Sequence, residues 1–174
     1  ITRNGLAIRR SIALAVDRKA AVETVTLTNT TDKAVDLTIA SPDYAFYTDP
    51  QKGVYGQYVL DVAAEFQNRV TLKPGQTYTM SLLFRGRQAQ EKHQAKDVEE
   101  LLEGRRQFVD FTQKNLQFEC PDAMITRMFE LAKIRATDSV FQTKGGPMFA
   151  PGGERYYAAI WANDNAEYQG PFAV

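Results

Sequence analysis

Along the first half of the chain, apolar residues keep to every second position, and near Arg85 that alternation gives way to helical spacing. Ile8, Ile12, Leu14 and Val16 fall on even positions with Arg and Ser between some of them, as in a half-buried strand. Val25-Thr26-Leu27-Thr28 and Val35-Asp36-Leu37-Thr38-Ile39 flank the polar run from Asn29 to Lys33, which predicts a hairpin joining the two. Tyr58, Leu60, Val62, Ala64 and Phe66 alternate again, as do Tyr78, Met80, Leu82 and Phe84. Between them lies Lys73-Pro74-Gly75-Gln76, where Pro presets φ and Gly accepts φ > 0, the requirement of a type II turn. Short alternating strands separated by turns predict an antiparallel β-sandwich over residues 1–87.

Beyond it, residues 88–96 are polar and charged and carry the only histidine, His93, which is expected in solvent. Val98, Leu101, Leu102, Phe108 and Val109 then recur at helical spacing, so residues 88–116 form a helical linker. Gly104 marks where a break in that helix would fall, because glycine costs about 1 kcal/mol relative to alanine inside a helix. A second helix is expected to start at Cys120-Pro121-Asp122 and to present a wide apolar face through Met124, Ile125, Met128, Phe129, Leu131 and Ala132. Such a face needs cover, either from the sandwich or, the favoured expectation, from helices beyond Val174. Four glycines and two prolines make Thr143 to Gly153 a loop. It lacks both the Walker pattern and a dinucleotide-binding glycine pattern. Residues 117–174 are read as the opening of an α-helical domain that continues past Val174.

Composition narrows the function classes. Twenty-one basic residues balance 21 acidic ones, so there is no electrostatic footprint of nucleic-acid binding and no polybasic membrane patch. No apolar run approaches the roughly 18 residues of a membrane span. Cys120 is the single cysteine, without a neighbouring histidine, which excludes an intramolecular disulfide and argues against a thiol nucleophile. No cluster has metal-ligand spacing, Asp43 and Asp49 being too thin a pair, and no cofactor is expected. Glu99-Glu100 and Arg105-Arg106 read as a solvated helix face, and Tyr44, Phe46 and Tyr47 as an aromatic loop or a folded-over sheet edge. The chain begins Ile1-Thr2-Arg3 with neither initiator Met nor signal sequence, from which we expect that the natural N-terminus has been removed. The expected compartment is the periplasm or the extracellular space.

The segment richest in chemistry runs from Pro151 to Tyr168. In a helix starting at Tyr156, Tyr157, Trp161, Asp164 and Tyr168 stand at i, i+4, i+7 and i+11 and share one face. Aromatic rings pack on the C–H surface of a pyranose, and a carboxylate accepts hydrogen bonds from its hydroxyls. Core packing produces the same spacing, with Trp161 as anchor and Asp164 as a surface or cap residue.

Ile160-Trp161-Ala162-Asn163-Asp164, after a Gly/Pro-rich loop and the helix Cys120-Pro121-Asp122-Ala123-Met124-Ile125-Thr126-Arg127-Met128-Phe129, resembles the start of the six-hairpin, (α/α)6-barrel glycosidases. That clan includes glucoamylase-like and α-L-rhamnosidase-like enzymes. The resemblance implies an N-terminal β-sandwich, a helical linker and a barrel whose early Trp-x-x-Asp lines the sugar subsite. It places Trp161 as the subsite aromatic and Asp164 as the sugar-binding carboxylate, beside Tyr157 and Tyr168. Rhamnosidase-like members carry Asp-Glu-Arg shortly before that Trp, with the Glu as general acid; Glu154-Arg155 stands here at a longer spacing, with Gly153 in place of the acid. Glu154 is thus the general-acid candidate, or else a loop carboxylate pairing with Arg155. The resemblance further implies inverting hydrolysis of an oligosaccharide or polysaccharide, with the base supplied by the rest of the barrel. Hydrolysis rather than phosphorolysis rests on the resemblance alone. The alternative from a different class is a non-catalytic β-sandwich module that binds carbohydrate or protein.

Overall fold

A computed structural model describes residues 1–53, 55–92, 97–150, 160–163 and 166–167. It is mostly antiparallel β-sheet with two helices, and it divides into two compact units, Ile1–Arg106 and Gln107–Val174.

The first unit holds β1 (Thr2–Arg3), β2 (Leu6–Leu14), β3 (Ala20–Asn29), β4 (Val35–Thr38), β5 (Tyr44–Tyr47), β6 (Tyr58–Glu65), β7 (Arg69–Leu72) and β8 (Thr77–Gln88). Six of these make one sheet in the order β1-β2-β3-β8-β6-β5, with β1 a two-residue strand and the other five longer; β4 and β7 pair separately. The expected hairpin between Val25–Thr28 and Val35–Ile39 does not form. β3 pairs with β2 and β8, whereas β4 pairs with β7, so the polar run after β3 carries the chain from one sheet to the other. Asn29 explains why. It is fully buried, its Nδ2 donates to the carbonyls of Lys33 (2.7 Å) and Leu72 (2.9 Å), and its Oδ1 accepts from Thr31 N (2.9 Å) and Thr31 Oγ1 (2.8 Å). Those bonds turn the backbone away from β3 and tie it to the end of β7. The type II turn is present: Gln76 N donates to Lys73 O at 2.9 Å and Gly75 has φ of 72°.

The two faces of the large sheet are packed differently. On one face Val22 and Leu83, paired across the ladder, form a cluster with Leu101, Leu102 and Val98 at the start of α1 (Val98–Lys114), while Thr24, Thr26 and Thr28 continue that face as a hydroxyl row. Thr28 Oγ1 lies 2.9 Å from Thr77 Oγ1 across the strands. On the other face Val25 is buried, but the row Leu14, Ala21, Phe84, Val62 and Tyr44 runs transversely with Leu14, Phe84 and Tyr44 exposed. Two buried carboxylates sit on opposite faces and each meets an arginine: Glu23 with Arg10, and Asp61 with Arg85 at 2.6 Å.

α1 runs unbroken through Gly104, contrary to the break considered there. Asp97 caps it, its Oδ1 accepting from Glu99 N at 3.0 Å, and Glu99 and Glu100 in the first turn complement the helix dipole. Arg106 bonds Glu99 and Glu103 on a solvated face, and its i,i+3 pair with Glu103 offsets part of the cost of Gly104.

In the second unit, α2 (Ala123–Asp138) starts at its cap Asp122, so Pro121 precedes the helix rather than opening its first turn. Val140–Thr143 (β9) and Gly146–Phe149 (β10) form a hairpin in what the glycine and proline content predicts as loop. Lys144-Gly145 is a two-residue connection, and Gly146 takes φ of 110°, which a glycine adopts without steric cost. Residues 151–153 of the expected loop lie outside the described residues, as does His93.

Candidate functional site

The stretch that carries the sugar-subsite expectation is described in part. Trp161 is the chain's only tryptophan and is 48% exposed, beside Ile160 at 42%. Neither is in regular structure; helix begins at residue 162. A helix running without interruption from Tyr156 is therefore not what the described residues show, and Trp161 sits at the mouth of a helix rather than along its middle. Glu154, Tyr157, Asp164 and Tyr168 lie outside the described residues.

Among its described residues the second unit is fastened by a polar anchor on α2. Lys133 of α2 is buried, and its Nζ donates to the carbonyls of Thr112 (2.7 Å), Gln113 (3.0 Å) and Leu116 (2.7 Å), and also to that of Asn115. These carbonyls belong to the last turn of α1 and the residues just after it, where a helix leaves acceptors without intrahelical donors. An ammonium there satisfies them and complements the negative end of the dipole. Phe118 and Phe129 meet with ring centroids 5.3 Å apart, and Lys133 Nζ lies 5.7 Å from the centre of Phe129. The apolar face of α2 is open within these residues: Met124, Ile125, Met128 and Leu131 are each about half exposed or more.

The first unit offers two other arrangements. Tyr44, Phe46 and Tyr47 are not a loop but an edge strand, β5, with all three rings exposed. Tyr44 and Phe46 share one face with Val62 and the exposed Leu60 on β6, and Tyr47 points to the other. At the other edge of β6, the end of β8 meets the turn between β2 and β3 in a basic concavity. There Arg18 bonds Asp17 through Nε (2.6 Å) and Nη2, and this hydrogen bond raises the guanidinium's pKa above its ordinary value, holding the charge at every ordinary pH. Sequence reasoning missed this concavity. Its basic residues are scattered over Arg18-Lys19, Arg85 to Arg87 and Lys92, and only the β3–β8 pairing brings them together.

Cys120 is a local structural residue: its Sγ lies 3.1 Å from Asp122 O at the start of α2. Asp43 and Asp49 serve turns, accepting from Ser41 Oγ and from Gln51 N. Among the described residues no group of three potential metal ligands converges, and no helix is long and apolar enough to cross a membrane. No protein-family model matches the chain, and no curated protein matches it.

Proposed function

We propose that this chain is the N-terminal part of a glycoside hydrolase of the six-hairpin clan: a β-sandwich, a linking helix, and the first helices of an (α/α)6 barrel. Trp161 and Asp164, with Tyr157 and Tyr168, bind the sugar, and Glu154 is the candidate proton donor. In an inverting reaction the acid and base stand about 6.5–9.5 Å apart so that water fits between the base and the anomeric carbon. The base comes from the remainder of the barrel, so the 174 residues alone do not turn over.

The observation that carries this reading is the half-exposed Trp161. An indole anchoring a core is covered, whereas one that stacks on a pyranose must be reachable. The open apolar face of α2 supports it further, since helices of an (α/α)6 barrel bury such faces against neighbouring hairpins. The passage of the chain between the large sheet and the β4–β7 pair supports the sandwich. A second reading, a non-catalytic carbohydrate- or protein-binding module, is favoured by the three exposed rings of β5.

The coding sequence after Val174 separates the two. The hydrolase reading expects several further helical hairpins with an Asp or Glu beside an aromatic loop, and no release of nitrophenol from aryl glycosides by the purified 174 residues. A stop codon directly after Val174, or turnover by these residues alone, contradicts it.

A further inference from the structure

The first unit leaves a length of sheet edge uncovered, a feature the hydrolase reading does not use. β1 pairs with β2 only at Leu6 and Ala7, and Ile1 meets Ile8, whose N–H donates to Ile1 O at 2.7 Å. Past Ile8, β2 is the outermost strand of the sheet among the described residues. Its register with β3 fixes which backbone groups point outward. Ala15 N donates to Ala20 O, so Ala13, Ser11 and Arg9 also turn toward β3, while Arg10, Ile12 and Leu14 turn away. The N–H and C=O groups of those three residues have no hydrogen-bond partner among the described residues.

Natural sheets blunt such an edge with proline, a bulge or charge. Ser11-Ile12-Ala13-Leu14 has neither proline nor charge, and its register with β3 runs without a bulge. Arg10 supplies a charge, but the buried Glu23 neutralises it. Apolar side chains collect along the edge instead: Ile12 is 65% exposed, and Ile1, Leu14 and Val16 are exposed as well.

We propose that two copies of this chain join antiparallel along this edge, β2 against β2, making one sheet across a twofold axis. The edge is complementary to itself. Pairing that uses all three outward-facing residues sets Ile12 opposite Ile12 and Arg10 opposite Leu14, and each pair exchanges two hydrogen bonds. On that face Ile12 packs on its counterpart, and Leu14 lies along the alkyl stem of an arginine whose charge Glu23 already holds. On the other face Ser11 stands opposite Ala13 and Arg9 opposite Ala15, so no like charges meet. β2 ends at Leu14, so the second copy leaves the edge before it reaches Ile1, and its Val16 arrives beside that residue. The sheet's other edge, β5, lacks this fit: pairing Ala45 with Tyr47 of a copy sets Asp43 opposite Asp49. A contact of one strand and four apolar side chains falls short of the roughly 800 Å² per partner of a standard interface, so the dimer is weak, with Kd on the order of 50 µM.

Sedimentation velocity of the 174-residue chain from about 5 to about 500 µM is expected to show monomer passing to dimer. Ile12→Lys sets two ammonium groups against each other on the axis and is expected to weaken association at least tenfold. The side chain is exposed, so the sheet stays folded, which far-UV dichroism checks. Amide exchange tells strand pairing from mere apolar contact. The amides of Arg10, Ile12 and Leu14 are expected to exchange at least tenfold more slowly at the high concentration than at the low one. Those of Ser11 and Ala13, already bonded to β3, are protected at both. A chain that stays monomeric across this range, or association undiminished in Ile12→Lys, overturns the proposal. So does a dimer in which the three amides gain no protection. Protection of those amides in the monomer also overturns it, since another segment of the same chain then covers the edge.

Discussion

Replacing Lys133 with Met is expected to destabilise the second unit by about 3 kcal/mol, a large fraction of what a unit of this size possesses. Met keeps most of the apolar stem and removes the ammonium, so four carbonyls, those of Thr112, Gln113, Asn115 and Leu116, lose a common donor. Charge-assisted hydrogen bonds contribute about 1.5–3 kcal/mol each, but bonds sharing one donor group do not add, which is why the expected loss is nearer one strong bond than four. Lys133→Arg does not rescue it, because a planar fork does not present donors to four carbonyls around a point. Urea unfolding followed by helical dichroism measures the loss. Amide exchange accelerating at the end of α1 localises it. A Lys133→Met protein as stable as the parent means that this ammonium is not what fastens α2 to the last turn of α1.

Asn29→Asp is expected to cost about 3 kcal/mol or more at neutral pH and much less near pH 4. The substitution keeps the shape and the acceptor for Thr31, but it turns the Nδ2 donor into an oxygen facing the carbonyls of Lys33 and Leu72. A carboxylate buried against two carbonyls has its pKa raised above the ordinary value of about 3.9. The sign follows from proton uptake. Below the unfolded pKa the side chain is protonated in both states and donates one hydrogen bond. As pH rises through that value the unfolded chain releases its proton while the folded one retains it, so stability relative to the parent falls until the folded pKa is passed. Denaturation midpoints of the two proteins at pH 4 and pH 7 give the comparison. A deficit that does not change with pH means that Asn29 is not enclosed by those carbonyls.

These two residues show what a sequence of this kind conceals. Alternation revealed β2, β3, β6 and β8, because a sheet with differently packed faces imposes a period of two wherever the chain lies flat. The turn at Pro74-Gly75 was legible because backbone sterics restrict which residues accept its dihedral angles. Strand pairing was not legible. Asn29 looks like a turn residue in a polar run, and nothing local says that its amide reaches Leu72, 43 positions away. Asn4-Gly5, with φ of 50° and 75°, is a hairpin signal of the strongest kind, and it joins β1 to β2. It passed unnoticed because the strand before it has two residues and no alternation to flag it. Burial was misread where both faces of a strand are apolar. In β6 Val59 and Asp61 are buried, while Leu60 between them is exposed. Lys133 carried a faint signal as the one cation four residues after Phe129 on an otherwise apolar side, but its carbonyl partners depend on how α1 ends. Of the sugar-subsite residues, Trp161 alone falls where its surroundings are described, and its exposure was not predictable from spacing that core and binding site share.

Because the chain has one tryptophan, fluorescence excited at the red edge, beyond tyrosine absorption, reports on Trp161 alone. Titration of the folded chain with neutral mono- and oligosaccharides, among them glucose, rhamnose, galactose and arabinose, asks directly whether that indole stacks on a sugar. At least one is expected to shift or quench the emission saturably, and Asp164→Asn to weaken the response about tenfold without altering the starting spectrum. Emission that stays constant with every saccharide, and moves only when denaturant unfolds the chain, contradicts the saccharide subsite and with it the hydrolase.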